Sequence, residues 1–403
     1  VREQGPDIAP IFEATAVALV GASEREGSLG TVVLKNLVDA GFEGSIFPVN
    51  PKHETVQGRP CFASLKDIDE PVDLVVIVTP AAAVPDVLDE CGACNVSAAV
   101  ILSAGFREAG EDGRALEQAV LDKARRHRIR FIGPNCLGLM RPAIKLNATF
   151  SQRMAKPGQI ALVSQSGAMC TAMLDWASPR NIGFSCVISS GIAADVDFGE
   201  ILDYLVIDPG TQAIMLYVEG IHEPRRFMSA LRAASRAKPV IVMKAGRFAE
   251  GRRAAVSHTG ALVGSDDVFD AALNRAGVVR VHNYSDFFAV AETLHTGVRT
   301  LGPRLAVVTN GGGPGVMAAD FLIHRKLALA ELSEETCKRL DDQLPAAWSH
   351  DNPVDVLGDA SAEQYAGAID ACLADEGVDS VLAIVVPQAL TDPTSIAKPV
   401  VDL

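Results

Sequence analysis

Residues 16–30, AVALVGASEREGSLG, decide the fold. An apolar, β-branched run leads into a turn of glycine and serine, and a helical pattern of apolar residues follows. This is the opening of a βα unit in a doubly wound α/β domain. Two more segments open in the same way, QIALVSQSGAMCTAMLDW from Gln159 and RLAVVTNGGGPGVMAADFL from Arg304. Three such openings indicate three α/β domains, of which the last two are related.

Further strands follow inside each predicted domain. The apolar runs are SIFPVN, DLVVIVTP, SAAVILSAG and IRFIGPN in the first domain, FSCVISSG, AIMLYVEG and PVIVMKAG in the second, and SVLAIVVPQ in the third. Stretches with proline or glycine at 141–158 and 295–304 separate the periodic segments. We therefore expect a Rossmann-like domain at 1–145 and flavodoxin-like domains at 155–298 and 303–403. The third has too few strands for a complete sheet, so we expect a partner or further sequence to complete it.

Composition excludes several classes of protein. Hydrophobic residues make up 48% of the chain, charged residues 21% and aromatic residues 5%, which is typical of buried parallel strands crossed by helices. A net charge of −14 disfavours nucleic acid and anionic membranes as partners. The apolar runs are shorter than the roughly 18–20 residues of a membrane span. Eight scattered cysteines favour reduced thiols in a cytoplasmic protein, and we interpret CGAC at 91–94 as structural.

The first glycine loop predicts a phosphate site that does not suit NAD. It opens a helix, whose N-terminus attracts phosphate. However, Ser23 interrupts the G-x-G-x-x-G pattern, and the second strand ends in Asn50 and Lys52 where a ribose-binding acid is expected. A lysine there suits a ligand with an additional phosphate, such as the 3′-phosphate of CoA. An NAD oxidoreductase is therefore the disfavoured alternative.

A histidine with small neighbours marks a second candidate site. His258 lies in AAVSHTGALVGSD, residues 254–266, flanked by Ser257, Thr259, Gly260 and Ala261. Either this is a surface turn that tolerates small residues, or a ligand approaches the imidazole closely. Phosphate oxygens could reach such a histidine and bind the backbone N–H groups around it.

Taken together, the motifs resemble the NDP-forming acyl-CoA synthetases, which include succinyl-CoA synthetase and ADP-forming acetyl-CoA synthetase. The resemblance covers essentially the whole chain, and it rests on GAS…GSLG, PVNPK, VTPA, GPNCLG, VSQSGA, SSGIAADVDFGEILDYL, YVEGI and SHTGALVGSD. It implies that the first domain binds CoA and that the other two supply a phosphohistidine loop and the floor of the active site. The implied reaction converts acid, CoA and ATP to acyl-CoA, ADP and phosphate through an acyl phosphate and phosphorylated His258.

The same resemblance implies cofactors and partners. The substrates would be a small carboxylic acid, phosphate and CoA, while ATP or ADP and Mg²⁺ would bind an ATP-grasp region outside this chain, in a homo- or hetero-oligomer. The sequence contains no P-loop G-x-x-x-x-G-K-[ST]. The similarity is close to bacterial proteins fused to a GNAT acetyltransferase, so the alternative function is an acyl-CoA-sensing region of a protein lysine acetyltransferase. The presence of His258 favours the ligase.

Two residues are the predicted catalytic pair. His258 would be the phosphorylated nucleophile, and Glu219 in YVEGI would fix its tautomer and stabilise the cation formed on phosphorylation. The alternative for Glu219 is a solvated loop carboxylate. Arg252 and Arg253 would steer phosphate or remain solvated. We predict no metal ligands.

The other predicted site residues bind phosphate or CoA. Helix starts at VSQSGA and SSGIAAD would hold phosphate through Ser164, Ser166, Gly167, Ala168 and Gly191. TNGGGPG at 309–315 is either a third such turn or simply a tight turn. Strand-end loops, which could also be ordinary βα turns, would bind CoA through Gly21, Ala22, Ser23, Ser28, Asn50, Pro51, Lys52, Thr79, Pro80, Ser103, Ala104, Asn135 and Cys136.

Overall fold

The computed structural model describes residues 7–248, 250–251, 265–297, 300, 302–389 and 391–401. The chain divides into two compact units, residues 1–297 and residues 298–403. Among the described residues, no helix is both long and apolar enough to cross a membrane.

A five-stranded parallel sheet forms the first part of the first unit. Its strand order is β2-β1-β5-β6-β7, and β3 and β4 form a separate hairpin. The elements in chain order are α1 (Ala9–Phe12), β1 (Ala16–Val20), α2 (Leu29–Asp39), β2 (Ser45–Val49), β3 (Thr55–Val56), β4 (Arg59–Pro60), β5 (Leu74–Ile77), α3 (Val84–Ala93), β6 (Ala98–Ile101), α4 (Glu111–His127) and β7 (Arg130–Ile132). Because β2 and β5 flank β1, the chain reverses its winding there, and a crevice opens at the carboxyl ends of these strands. All five predicted strands are confirmed.

A seven-stranded sheet forms the rest of this unit, in the order β14-β13-β12-β10-β11-β8-β9. The strands from β10 to β14 are parallel, and β8 and β9 add an antiparallel hairpin next to β11. The elements are β8 (Gly138–Arg141), β9 (Leu146–Thr149), β10 (Pro157–Ser164), α5 (Gly167–Ala177), β11 (Phe184–Ser189), α6 (Phe198–Ile207), β12 (Ala213–Val218), α7 (Pro224–Ala237), β13 (Val240–Lys244), α8 (Asp266–Ala276), β14 (Val279–Val281) and α9 (Tyr284–His295).

Residues 141–158 contain a strand that the sequence analysis did not predict. We expected this stretch to be a boundary between domains, because proline and glycine lie there between periodic segments. Its hydrogen bonds place β9 and the end of β8 within the second sheet. The division into three domains remains a prediction.

Alternate residues of β1 belong to two different cores. Val17 and Leu19 lie in the cluster that contains the buried residues of α1 and α2, whereas Ala18 and Val20 lie in the cluster with α3 and α4. Successive side chains of a strand point to opposite faces, so a sheet covered on both sides needs apolar residues at every position. The first of these clusters also includes Val163 and Val218 of the second sheet, which joins the two sheets through shared packing.

The second unit is a four-stranded parallel sheet around β15, which pairs with β16, β17 and β18. Its elements are β15 (Arg304–Thr309), α10 (Gly312–His324), β16 (Ala328–Leu329), α11 (Glu334–Gln343), β17 (Val354–Asp355), α12 (Ala362–Leu373), β18 (Ser380–Ile384) and α13 (Pro393–Val401). The sequence predicted β15 and β18. Two-residue strands such as β17 have no periodic pattern that would reveal them.

A buried ion pair ties the added hairpin to α6. Arg141 ends β8 and Asp208 follows α6, and only 8% and 5% of these residues are exposed. The guanidinium donates to both carboxylate oxygens, at 2.8 and 2.7 Å. Burial alone would raise the pKa of Asp208, but hydrogen bonds from Arg141 and Thr211 outweigh it and lower the pKa to about 2.

We expect Asp208→Asn to lower the free energy of unfolding by about 3–5 kcal/mol, because it leaves a buried guanidinium without its counter-ion. The folded-state pKa of Asp208 is lower than the unfolded value of about 3.9, so the stabilisation is present above pH 4 and disappears as the pH falls towards 2. Urea unfolding at pH 7 measures the loss. The matched control is Asp175→Asn, whose pair with Arg153 has both side chains 59% exposed and contributes less than about 1 kcal/mol. Equal losses in the two variants would contradict this account.

Candidate functional site

A cavity of about 760 Å³ lies at the carboxyl ends of β1, β2 and β5. This is the crevice that the strand order creates. Eight predicted CoA-binding residues line it, namely Gly21, Ser23, Ser28, Asn50, Pro51, Lys52, Thr79 and Pro80. The cavity therefore brings together predictions made from three separate strand ends.

The glycine loop packs tightly against the start of α2. Gly21 has a φ of +99°, which a residue with a side chain rarely adopts, and a Cβ on Gly30 would overlap the Gly21 carbonyl oxygen. Ser28 caps α2 by accepting a hydrogen bond from the Thr31 N–H at 3.3 Å. These contacts hold the helix N-terminus at the cavity wall, where it suits an anion.

One of the predicted residues, Asn50, maintains the shape of the loops. The Asn50 side-chain amide donates to the carbonyl oxygen of buried Ala22 at 2.6 Å, and its oxygen accepts from the Lys52 N–H at 3.0 Å. Asn50 thus joins the first loop to the second, and the exposed Lys52 beside it lines the cavity.

The sequence reasoning missed a second cation at this cavity. Arg25 is exposed and belongs to the lining, as does Lys52. It is the one basic residue in GASEREGSLG, and this was a signal that could have identified it. Two cations beside a helix N-terminus suit a ligand that carries several phosphates.

The remaining five predicted CoA-binding residues, Ala22, Ser103, Ala104, Asn135 and Cys136, do not line the cavity. Ser103 donates from its hydroxyl to the Thr79 carbonyl at 2.5 Å, and the Asn135 N–H donates to the Ser103 carbonyl at 2.9 Å. Ala104 and Asn135 are exposed beside this edge, whereas Cys136 is buried. Burial raises the pKa of the Cys136 thiol to about 12, so it stays protonated. Any contact of Cys136 with CoA would have to come from its backbone.

The VSQSGA turn leads directly into a helix, as predicted. Helix α5 begins at Gly167, and Ser166 caps it by accepting from the Met169 N–H at 3.3 Å. The buried Ser164 hydroxyl donates to the Ser166 carbonyl at 2.8 Å and accepts the Ser166 N–H at 3.0 Å. Ser164 therefore shapes the turn from within, while Ser166, Gly167 and the exposed Ala168 form its outer surface.

Our prediction of a second helix start at SSGIAAD is wrong. The stretch is a turn, and α6 begins later, at Phe198. The N–H groups of Ile192 and Ala194 donate to the carbonyls of Pro134 and Gly133, both at 3.0 Å. A Cβ on Gly191, whose φ is +54°, would overlap the Asn135 carbonyl oxygen. The turn therefore packs the second sheet against the loop after β7, and a phosphate role for Gly191 stays a prediction.

Glu219 follows the last residue of β12 and is 8% exposed. Its N–H and that of Gly220 donate to the side-chain oxygen of Gln165, at 2.6 and 3.0 Å. The Gln165 amide donates in return to the Gly220 carbonyl at 2.8 Å. Glu219 is thus a nearly buried carboxylate at the carboxyl edge of the sheet and is fixed to the turn before α5. The sequence reasoning missed Gln165, although its place between two predicted phosphate-binding serines was a signal.

Lys244 was also missed, and it lies at the same edge. With Glu219 it lines a largely apolar cavity of about 220 Å³. Its ammonium lies 3.9 Å from the Asp266 carboxylate and donates to the carbonyls of Ala245 and Gly246. Burial alone would raise the pKa of Asp266, but Arg280 and Arg247 hold it below the usual value. The end of β13 and the start of α8 therefore meet at the edge that carries Glu219.

The segment between these two ends contains the predicted nucleophile. His258, with Arg252, Arg253, Ser257, Thr259, Gly260 and Ala261, lies outside the described residues. The described chain stops at Gly251 and resumes at Ser265.

The TNGGGPG turn repeats the geometry of VSQSGA. Thr309 exchanges hydrogen bonds with Gly311 as Ser164 does with Ser166, and α10 begins at Gly312. Asn310 donates to the Val386 carbonyl at 3.0 Å and accepts the Val386 N–H at 2.7 Å. Val386 thus occupies the position that Glu219 has in the other unit, so this copy has an apolar side chain in place of the carboxylate. Within the described ranges, no group of three or more His, Cys, Asp or Glu residues is arranged to hold a metal ion.

Comparison with known proteins agrees with this layout. Residues 15–142 match the family described as a CoA binding domain, and residues 157–294 match the succinyl-CoA ligase like flavodoxin domain. The chain is therefore an α/β protein that joins a CoA-binding domain to a succinyl-CoA ligase-like domain. It is 40% identical over 395 residues to the alpha subunit of acetate–CoA ligase (ADP-forming) I from Pyrococcus furiosus, covering 97% of this chain and 85% of that subunit. The chain belongs to the ADP-forming acetate–CoA ligase family and corresponds to its alpha portion.

Two further matches support the assignment. Acetate–CoA ligase (ADP-forming) I from Archaeoglobus fulgidus is 43% identical over 391 residues, which are 97% of this chain but 56% of that protein. The chain thus spans little more than half of that relative. The dinucleotide-forming acetyl-coenzyme A synthetase 1 of Ca. Korarchaeum cryptofilum, solved with phosphate and ADP, matches with a TM-score of 0.94 at 35% identity, over 98% of this chain and 85% of that one.

Proposed function

We propose that the chain is the CoA-binding and phosphohistidine part of an ADP-forming acyl-CoA synthetase. In the synthetic direction, a phosphoryl group passes from His258 to a carboxylate oxygen of the acid and forms an acyl phosphate. The CoA thiol then displaces phosphate from the acyl carbon and forms acyl-CoA. ATP rephosphorylates His258 and becomes ADP, through an ATP-grasp region outside this chain.

The observation that carries this proposal is the joint placement of Glu219 and the turn before α5. Gln165 bonds to the backbone on both sides of the Glu219–Gly220 peptide, so the carboxylate and the helix N-terminus occupy one edge of the sheet. The ends of β13 and α8, between which His258 lies in the sequence, meet at the same edge. A phosphoryl group there would meet the N–H groups at the start of α5 and the positive end of the helix dipole.

Glu219 would act on the imidazole of His258. A carboxylate that accepts the N–H of one ring nitrogen leaves the other as the nucleophile and stabilises the imidazolium formed on phosphorylation. A nearly buried carboxylate does this better than a solvated one, because the low dielectric strengthens its field.

CoA would occupy the cavity at the ends of β1, β2 and β5. Its size suits the nucleotide part of CoA, while Lys52, Arg25 and the start of α2 provide positive charge in a protein of net charge −14. We place the 3′-phosphate near Lys52. A fused acetyltransferase, Mg²⁺ in the nucleotide-binding region and the cytoplasm as the compartment remain predictions from the sequence, with acetate as the proposed acid.

We expect Lys52→Glu to weaken CoA binding by at least about tenfold, or 1.4 kcal/mol, because repulsion replaces attraction at the phosphate. Isothermal titration calorimetry with CoA measures this. Dephospho-CoA, which lacks the 3′-phosphate, should lose less affinity in the same variant. Lys66→Glu is the matched control, since Lys66 is exposed in the same sheet region but does not line the cavity. Equal CoA affinity for wild type and Lys52→Glu would refute this placement.

A further inference from the structure

We infer that Gln165 is a positioning residue that fixes Glu219 for catalysis and couples it to the phosphate-binding turn. The inference rests on the proposed function, because it assigns Gln165 a role only through the proposed role of Glu219. Gln165 is 6% exposed and lies between Ser164 and Ser166 in the turn that precedes α5.

Glu219 lies where the sheet no longer fixes the backbone on the β10 side. The register between β10 and β12 ends at Ser164 and Tyr217, and β10 then turns into α5. The Gln165 N–H still donates to the Tyr217 carbonyl, at 3.2 Å. Glu219 and Gly220 therefore lie beyond the last residue of the neighbouring strand.

The Gln165 side chain takes the place of the missing strand residue. Its carboxamide has the same C=O acceptor and N–H donor as a peptide group. The oxygen accepts from the Glu219 and Gly220 N–H groups, and the amide donates to the Gly220 carbonyl. The backbone that carries the Glu219 carboxylate is thereby held from the phosphate turn itself. A displacement of either element moves the other.

The second unit contains the same arrangement without the carboxylate. Asn310 follows Thr309 as Gln165 follows Ser164, and its amide exchanges two hydrogen bonds with Val386. A side-chain amide that bonds to the neighbouring backbone is therefore a feature of both strand–turn–helix connections. At Gln165 it holds a carboxylate that the proposed reaction uses, which predicts that its loss acts on catalysis through Glu219.

A double-mutant cycle tests this inference with Gln165→Met and Glu219→Gln. Methionine is close in size to glutamine but cannot form the three hydrogen bonds. The readout is the initial rate of phosphoryl incorporation from labelled acetyl phosphate. We expect Gln165→Met to lower this rate about 10- to 100-fold, since small misplacements of a catalytic group have effects of this size. In the Glu219→Gln background, the same change should lower it by less than about twofold, because coupled residues are not additive.

Two further measurements separate positioning from a purely structural role. The pH dependence of the rate in Gln165→Met should move towards that of Glu219→Gln, while CoA affinity stays at the wild-type value. Gln118→Met, at an exposed glutamine of α4, is the matched control and should leave the rate unchanged.

The outcomes are distinct. If the two effects multiply in the double variant, or the pH profile of Gln165→Met stays that of wild type, the inference is overturned. If Glu219→Gln alone leaves the rate unchanged, the proposed role of Glu219 fails instead. Should Gln165→Met not fold, Gln165→Glu replaces it in the cycle, since its carboxylate still accepts both N–H groups but cannot donate to Gly220. Failure of both variants to fold would assign Gln165 to stability alone and overturn the inference.

Discussion

Incubation with labelled acetyl phosphate should give the wild-type protein a covalent phosphoryl group that is stable in base and labile in acid, and His258→Asn should abolish it. Phosphohistidine has this stability pattern, whereas phosphoserine and acyl phosphates do not. Asparagine keeps a polar side chain but lacks the nucleophilic nitrogen, so the loss should be complete, as expected for removal of a nucleophile. Glu219→Gln should slow incorporation by about 100-fold, the scale of an acid–base contribution.

His222 provides the most stringent control for this experiment. It lies three residues after Glu219 in the sequence, and burial, followed by the nearby charge of Arg107, lowers its pKa. The neutral imidazole is therefore favoured at pH 7, so His222 is the second histidine to test for phosphorylation. His222→Asn should keep the label. Label that survives in His258→Asn and disappears in His222→Asn would move the phosphohistidine to His222, and label that survives in both would favour the acyl-CoA sensor.

The strands that could be predicted are those buried on both faces. β5, β6 and β12 appear as unbroken apolar runs because helices cover both sides of the sheet, so every position is apolar. The hairpin of β8 and β9 was missed for a physical reason. Arg141 and Asn147 are buried polar residues that interrupt its pattern, and Asp208, the partner of Arg141, is distant in sequence.

Some residues of the candidate site could likewise be predicted from the sequence, and others could not. Turns rich in glycine and serine can be recognised from composition, so the loop at Gly21 and the turn at Ser166 could be located from the amino-acid sequence alone. The roles of Gln165 and Lys244 could not be assigned in this way, because each acts through contacts made across the sheet edge to residues more than 20 positions away. Likewise, SSGIAAD has the composition of a phosphate turn, but its N–H groups donate to the loop after β7. Composition alone cannot distinguish these two uses of a turn.

We also expect that residues 1–403 cannot use ATP by themselves. Residues 1–403 alone should form no acetyl-CoA from acetate, CoA and ATP above the rate without enzyme, and adding an ATP-grasp region, in trans or fused, should restore the reaction. The sequence has no P-loop. A protein of net charge −14 also repels the tetra-anionic ATP unless a site supplies compensating positive charge. The cations that the structure places at the β1–β2–β5 cavity are the ones we assign to CoA.

A control assay tests whether the same protein can form acetyl-CoA in a step that needs no nucleotide. Acetyl phosphate and CoA should give acetyl-CoA and phosphate with residues 1–403 alone, because this step needs only the CoA cavity and the phosphate turn at α5. The same preparation should then stay inactive with acetate and ATP. Since both assays use one protein and one product, inactivity in the second cannot be attributed to misfolding. ATP-dependent synthesis by residues 1–403 alone would mean that the nucleotide binds within this chain, and the division of roles between the two sheets would have to be assigned again.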